Sequence, residues 1–359
     1  MLVHICCAVD SHYFLQKLAE EFPDERLIGF FYDPNIHPYS EYQLRLLDVK
    51  RSCKMLGIEL IEGEYDTEAW LEAVRGLERE PEKGARCSVC FDRRFEVSAQ
   101  KAAQLGEKSY TSTLLTSPKK SLHQLKKAGD LLADKYELQF IAPDYRKASG
   151  TQEQNILAKS DALYRQDYCG CIYGLTMQRE QQNKLSDELF SPISQQIQAE
   201  SIESRIKLYE KRWELEESGK EYKIIKQRFL NWRLLMGLLR VRREVVAAHF
   251  LPYSTLKGEY SRGKIEYHIG DIHYMNRDEV RFISLQYYNK MMSTEYQSVV
   301  DLIYSPPSFE QELQLRQQLE PLGYSLGVVL VVESIPDKKI EILCQSKSYD
   351  DVREILVEL

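Results

Sequence analysis

The sequence predicts an α/β protein, a parallel sheet covered by helices in its first half, followed by a smaller domain of mixed α and β structure. Three observations carry this reading. Short apolar runs alternate with helix-period stretches through the first half, the pattern in which helices cross over between parallel strands. Reactive and polar residues gather just after those runs, where a parallel sheet opens its ligand crevice. Beyond about residue 180 the alternation stops.

The expected strands are Leu2–Cys7, Leu27–Tyr32, Ile58–Glu62, Ser109–Leu115 and Gln139–Ile141, with helices near 11–22, 40–56, 67–77, 92–105, 121–136 and 151–166. The first strand ends in Cys6-Cys7, at a strand-to-helix turn that usually carries glycines for phosphate. Asp33-Pro34-Asn35-Ile36-His37-Pro38 follows the second strand, Thr116 to Lys120 the fourth, and Pro143 to Lys147 the fifth. At the first helix start, Ser11 reads as a cap for a free amide. Asp10 reads as a cap, a metal ligand or a proton donor.

In the second half, a charged helix is expected at about 199–218, strands at Lys264–Ile269 and Gly327–Glu333, and a last helix from about Asp350. Residues 223–243 hold seven Lys or Arg and no acid. Ile224, Ile225, Phe229, Leu230, Leu234, Leu235, Leu238 and Leu239 largely fit one apolar side of a helix, so the segment predicts a packed helix with a basic outer face. The basic residues, interleaved with Phe229 and Trp232, offer RNA-backbone contact as a secondary use. The expected domains are 1–185 and 186–359.

The 359 residues exceed the roughly 100–200 typical of one domain. A net charge of −7 argues against a globally basic nucleic-acid binder and leaves room for a local patch. Nothing resembles a signal peptide, and no apolar run reaches the roughly 18 residues needed to cross a bilayer. The expectation is a cytoplasmic protein with no membrane partner.

Eight cysteines stand at 6, 7, 53, 87, 90, 169, 171 and 344. In a reducing compartment such clustering points to metal or redox chemistry rather than disulfides. Cys53 and Cys344 sit in apolar patterns and read as buried side chains. The others form three pairs, Cys6/Cys7, Cys87/Cys90 and Cys169/Cys171. Cys87-x-x-Cys90 lets both sulfurs reach one metal, and it lies too far downstream for a thioredoxin-like dithiol. Cys169-Gly170-Cys171 has a glycine that leaves space for a bulky inorganic ligand. Alone, the Cys169/Cys171 pair reads as incidental buried thiols; together the three pairs point to one shared metal site. Zinc takes four thiolates at most, so the surplus favours iron–sulfur.

Residues 4–174 resemble the iron–sulfur epoxyqueuosine reductases of the QueH family, through "HICCAVDS", "FYDPNIHPYSEYQLR", "EPEKGARCSVCFDRR", "TSTLLTSPKKS", "DYRKASG" and "YRQDYCGC" in order. Val9 departs from the Pro expected there. The resemblance implies a Rossmann-like fold of the nucleotide α-hydrolase type and a tRNA substrate carrying epoxyqueuosine. It also implies a [4Fe–4S] cluster with an adjacent iron, held by the paired cysteines and Asp10. It is not expected to reach past about residue 180.

Epoxide reduction needs two electrons, from a donor the sequence does not identify, and protons, from Asp10 or Tyr168. Lys119, Lys120, Arg146 and Lys147 are candidate phosphate contacts, each equally readable as solvated loop charge. Tyr32, Asn35 and Tyr145 could contact the base, and the tyrosines could equally be core. Two other readings are weighed: a zinc-stabilised RNA-binding module without redox activity, and an ATP-dependent tRNA thiolation enzyme. The second needs an intact glycine loop, which "CCAVDS" lacks.

Overall fold

The first strand is buried on both sides: Leu2, Val3, His4 and Ile5 are all inaccessible to solvent. Such near-continuous burial is the habit of a central parallel strand. The protein was described from a computed structural model, which covers all residues except 118–120, 148, 191–195, 277–278 and 321–324. Strands β1 (Leu2–Ile5), β2 (Ile28–Phe31), β3 (Glu59–Glu62), β4 (Ser109–Ser112) and β5 (Gln139–Phe140) form a parallel sheet in the order β3-β2-β1-β4-β5. Leu2 is in register with both Ile28 and Tyr110. The strand order reverses direction beside β1, which places the ligand crevice at the carboxyl ends of β1 and β4. This is the Rossmann-like parallel sheet that the sequence predicts.

Helices α1 (Ala8–Glu21), α2 (Tyr39–Leu56), α3 (Thr67–Ala73), α4 (Ala85–Gln104), α5 (Leu122–Tyr136), α6 (Gly150–Ser160) and α7 (Ile172–Gln181) accompany the sheet. Two bounds differ from expectation in ways that matter. Helix α4 starts at Ala85 rather than near 92, so Cys87 and Cys90 lie in its first turns. Helix α6 stops at Ser160 instead of 166; Ala162 turns left-handed (φ 49°), and the Asp48 carboxylate accepts the Tyr164 amide at 2.8 Å.

The chain divides into two compact units. One comprises Met1–Leu189, Arg205–Ile224 and Leu356–Leu359; the other comprises Phe190–Ser204 and Ile225–Ile355. The division is therefore not a single cut near residue 185. Most of helix α8 (Ile202–Glu217) packs in the first unit, where the buried Arg212 donates to Asp48 Oδ1 and to the Ala162 carbonyl, both at 2.6 Å.

In the second unit, β8 (Ala248–Phe250), β10 (Ile265–Ile269), β11 (Ile272–Met275), β12 (Val280–Ser284) and β13 (Val328–Val332) form a mixed sheet in the order β10-β11-β12-β13-β8. A further sheet runs β7-β6-β14-β9, from β6 (Tyr222–Val241), β7 (Glu244–Val246), β9 (Tyr260–Gly263) and β14 (Ile340–Glu358). Helices α9 (Leu285–Met292), α10 (Val299–Tyr304) and α11 (Phe309–Leu319) complete the unit.

Two expectations are corrected here: residues 223–243 are strand rather than a packed helix, and the terminal segment from Asp350 is strand β14 rather than helix. On β6, Asn231, Trp232 and Arg233 are buried in succession, which a helix with one apolar side would not allow. A Cβ at Gly237 would stand 2.7 Å from the Phe250 ring, so the glycine permits close packing that no helix pattern announces. Tertiary strand pairing overrides an ambiguous period. Among the described residues, no helix is long and apolar enough to cross a membrane.

Candidate functional site

A cavity of about 260 Å³ lies in the first unit, lined by Cys6, Asp10, Asn35, Cys87, Cys90, Tyr168, Cys169 and Cys171 together with Trp70, Gln154, Arg45, Arg86, Arg94 and other residues. Three helices begin at it. Cys7 stands at the N-cap position of α1, Cys87 lies in the first turn of α4, and Cys171 stands at the N-cap position of α7. Each helix start carries unpaired amides and a partial positive charge of about half a unit, which favours thiolates. Where related folds hold phosphate by this device, this chain brings cysteines.

The thiols fall into two groups. The Sγ atoms of Cys6 and Cys7 and a carboxylate oxygen of Asp10 all lie within 4.8 Å of one another. Cys6 Sγ is 3.9 Å from both Cys7 Sγ and Asp10 Oδ2, while Gln154 donates to Asp10 Oδ1 at 2.8 Å. The turn into α1 is thus sharp enough for neighbouring cysteines to serve one site. Cys90 and Cys171 share an apolar cluster with Trp70 and Val74, and Cys169 packs against it. Cys87 Sγ accepts the Lys83 amide at 3.3 Å.

The loop carrying Cys169 and Cys171 is fixed from the β2 side. The Gly170 carbonyl accepts the His37 amide at 2.8 Å, and Tyr168 Oη donates to the His37 carbonyl at 2.6 Å. Arg45 donates to the carbonyls of Tyr168 (3.1 Å) and Cys169 (3.3 Å), and its guanidinium lies over the Tyr168 ring. Gly170 itself adopts φ +102°, and a Cβ there would approach Ile36 Cγ1 to 2.8 Å. Only glycine fits this turn.

Electrostatics explain what the cavity can hold. Burial raises the Cys90 thiol above its ordinary pKa, with Arg94 opposing. The neighbouring thiols, together with burial, raise Cys7 and Cys171. These groups stay neutral unless a cation displaces their protons, which is the behaviour of metal ligands. Among the described residues, Asn35 Oδ1 and Arg94 Nε are buried without hydrogen-bond partners, so polar capacity beside the cavity is unspent. The donor set fits an iron–sulfur group and a further iron. The singletons are elsewhere: burial pushes Cys53 up to about 12 and Cys344 to about 11.

Other anticipated residues have different surroundings. Tyr32 is buried, stacks on Phe30 and donates to Asp66 at 2.9 Å, and it does not line the cavity. Tyr145 donates to Glu21 at 2.5 Å and meets Phe14 edge-on. Tyr32 therefore packs in the core, whereas Tyr145 is half-buried at the edge of it. Arg146 donates to the carbonyl of the cavity residue Ser117 at 2.9 Å, and Lys147 is largely exposed beside Asp144. Lys119 and Lys120 lie outside the described residues. Sequence reasoning missed the arginines 45, 86 and 94: Arg45 and Arg94 are placed by contacts across the fold, Arg86 is held by the nearby carbonyls of Leu77, Glu78 and Glu80, and only Arg86 and Arg94 stand beside a cysteine motif.

A family model described as epoxyqueuosine reductase QueH matches residues 1–177. An epoxyqueuosine reductase QueH from Helicobacter pylori is 38% identical over 357 residues, covering 95% of each chain. The chain belongs to the QueH family. It is accordingly an oxidoreductase of tRNA modification. The QueH protein of Thermotoga maritima is 35% identical over 189 residues, 52% of this chain and 95% of that one. The family model ends near the expected boundary at residue 177, while the Helicobacter match continues well past residue 180. Two solved structures share weaker likeness. A predicted subunit of tRNA methyltransferase from Methanocaldococcus jannaschii has TM-score 0.33 and 14% identity, covering 53% of this chain and 92% of that one. The U34-tRNA thiolase NcsA from Methanococcus maripaludis with its [4Fe-4S] cluster has TM-score 0.34 and 15% identity, covering 60% and 73%.

Proposed function

We propose that this QueH-family chain reduces epoxyqueuosine in tRNA to queuosine, the epoxide oxygen leaving as water at the cost of two electrons and two protons. The observation that carries the reading is that five of the six paired cysteines line one cavity with Asp10, at three helix starts, and the sixth, Cys7, stands 3.9 Å from Cys6. In this reading Cys87, Cys90, Cys169 and Cys171 hold a [4Fe–4S] cluster, and Cys6, Cys7 and Asp10 hold an additional iron. Together these would supply single electrons and a Lewis acid for oxygen.

The chain's own groups do the rest. Gln154 fixes Asp10 by its amide, leaving Oδ2 on the Cys6 side. Asp10 is the better proton carrier, because the Tyr168 hydroxyl is committed to the His37 carbonyl and its pKa is raised by burial and by nearby Glu41. Asn35, with its unspent carbonyl oxygen, is suited to meet a base edge. Arg146, which donates to the Ser117 carbonyl, and exposed Lys147 are the proposed phosphate contacts of this loop. Arg45, Arg86 and Arg94 balance the thiolates.

The test is anaerobic purification with iron, sulfide and zinc analysis, absorption spectroscopy and turnover of epoxyqueuosine-bearing tRNA with a chemical reductant. A brown protein containing iron and sulfide that converts the nucleoside is expected, and Cys87→Ala loses both metal and turnover. A colourless protein holding zinc alone would establish the zinc module instead, and a Cys87→Ala protein with full iron and turnover would defeat the ligand assignment.

A further inference from the structure

The basic run at 223–243 gains a different meaning once it is strand. It ends in a two-residue hairpin turn, Arg242-Arg243, between β6 and β7, whose flanking residues Val241 and Glu244 are paired. Both arginines have positive φ, 54° and 73°, the left-handed region in which such turns normally carry Asn-Gly. Two exposed arginines held there point to a use for the side chains beyond turn formation.

Other cations are brought to the same end of the sheet. The Arg242 amide donates to the Lys339 carbonyl at 3.2 Å, at the start of β14. Gly263 of β9 pairs with Ile340 antiparallel, so exposed Lys264 follows at the same sheet end as Lys339. Arg242, Arg243, Lys264 and Lys339 thus come from three separate segments. Acids are also present. Lys338 pairs with Asp337 at 3.3 Å, Arg262 pairs with Glu341 at 3.2 Å, and exposed Glu244 lies on the hairpin. None of the four cations has a carboxylate within 4.0 Å among the described residues. In a chain of net charge −7, this is a local positive surface against the overall sign.

We propose that this end of the sheet is a docking surface for the phosphate backbone of tRNA. The assignment rests on the tRNA reading above. It makes the second unit a contributor to substrate affinity through charge rather than through base recognition.

The experiment uses the full chain and an unmodified tRNA transcript, with dissociation constants measured from 50 to 200 mM KCl. Wild type is compared with Arg242→Gln/Arg243→Gln/Lys264→Gln/Lys339→Gln, and with Arg242→Lys/Arg243→Lys/Lys264→Arg/Lys339→Arg. Four phosphate contacts account for a slope of about 3 in log affinity against log salt, or about 50- to 150-fold across this range. The glutamine variant should lose that part of the salt dependence, and the charge-conserving variant should keep it. A glutamine variant with the wild-type slope would overturn the proposal, as would a patch required only for binding anionic phosphatidylserine vesicles. Failure of wild type itself to bind the transcript would count against the tRNA reading rather than the patch.

Discussion

Gly170→Ala is the sharpest test of how the cavity is built. At φ +102° the new residue occupies backbone space that L side chains rarely adopt, and its Cβ would stand 2.8 Å from Ile36 Cγ1 and 3.2 Å from Ile36 Cα. The backbone term is worth about 1–2 kcal/mol, and overpacking against a neighbour that cannot rotate away adds roughly 1–3 kcal/mol. For a unit of this size each kcal/mol lowers Tm by about 2–4 °C. A fall on the order of 10 °C is therefore expected by calorimetry. Because the Gly170 carbonyl also accepts the His37 amide between Cys169 and Cys171, iron content should fall with Tm. Gly106→Ala is the control, since Gly106 has φ +72° and open space around its Cβ position. It should show the backbone term alone, with iron unchanged. Equal Tm and equal iron in the two variants would refute the claim that this turn is shaped by contact with Ile36.

Three further outcomes are expected. Asp10→Asn keeps a partner for Gln154 but removes both a proposed iron ligand and the proposed proton carrier, so turnover should fall by about 10²- to 10⁴-fold with Tm little changed, and iron analysis of the variant separates the two roles; near wild-type kcat would remove Asp10 from the chemistry. Arg212→Met leaves the buried Asp48 carboxylate without its cation, which typically destabilises by about 3–5 kcal/mol; a Tm shift under about 3 °C would argue that α8 is not part of the first unit's core. Burial pushes Asp33 up to about 6 despite Arg94 and Arg45, so the native state holds this proton more tightly than the unfolded chain. Its stability contribution is present below the unfolded pKa near 3.8 and is lost as pH rises through about 6, amounting to about 3 kcal/mol. Denaturant titrations from pH 4 to 7 should show this slope in wild type and not in Asp33→Asn; parallel curves would contradict it.

The first half was legible because local chemistry and global position agree there. Buried parallel strands read as apolar runs, and every cysteine pair falls at a strand end or helix start. What sequence could not show was convergence. Arg45 reaches the Tyr168 and Cys169 carbonyls across more than 120 positions, and no local pattern encodes such a contact. The same holds for Arg94, which pairs with Asp33 of the β2 loop. Tyr32 and Tyr145 were ambiguous because a tyrosine can serve a site or a core, and the sequence did not show their partners Asp66 and Glu21.

By itself the sequence determined the α/β class, the strand ends that would meet, and the cysteine set, because these depend on periodicity and residue type. Only the tertiary structure decided that residues 223–243 and the terminal segment are strands. Their apolar spacing satisfies both helix and sheet, and pairing between β6 (Tyr222–Val241) and β14 (Ile340–Glu358), far apart in sequence, selects the sheet. It also decided that Cys6, Cys7 and Asp10 stand together while Cys90, Cys169 and Cys171 share a separate cluster, since that division depends on where three helices begin in space.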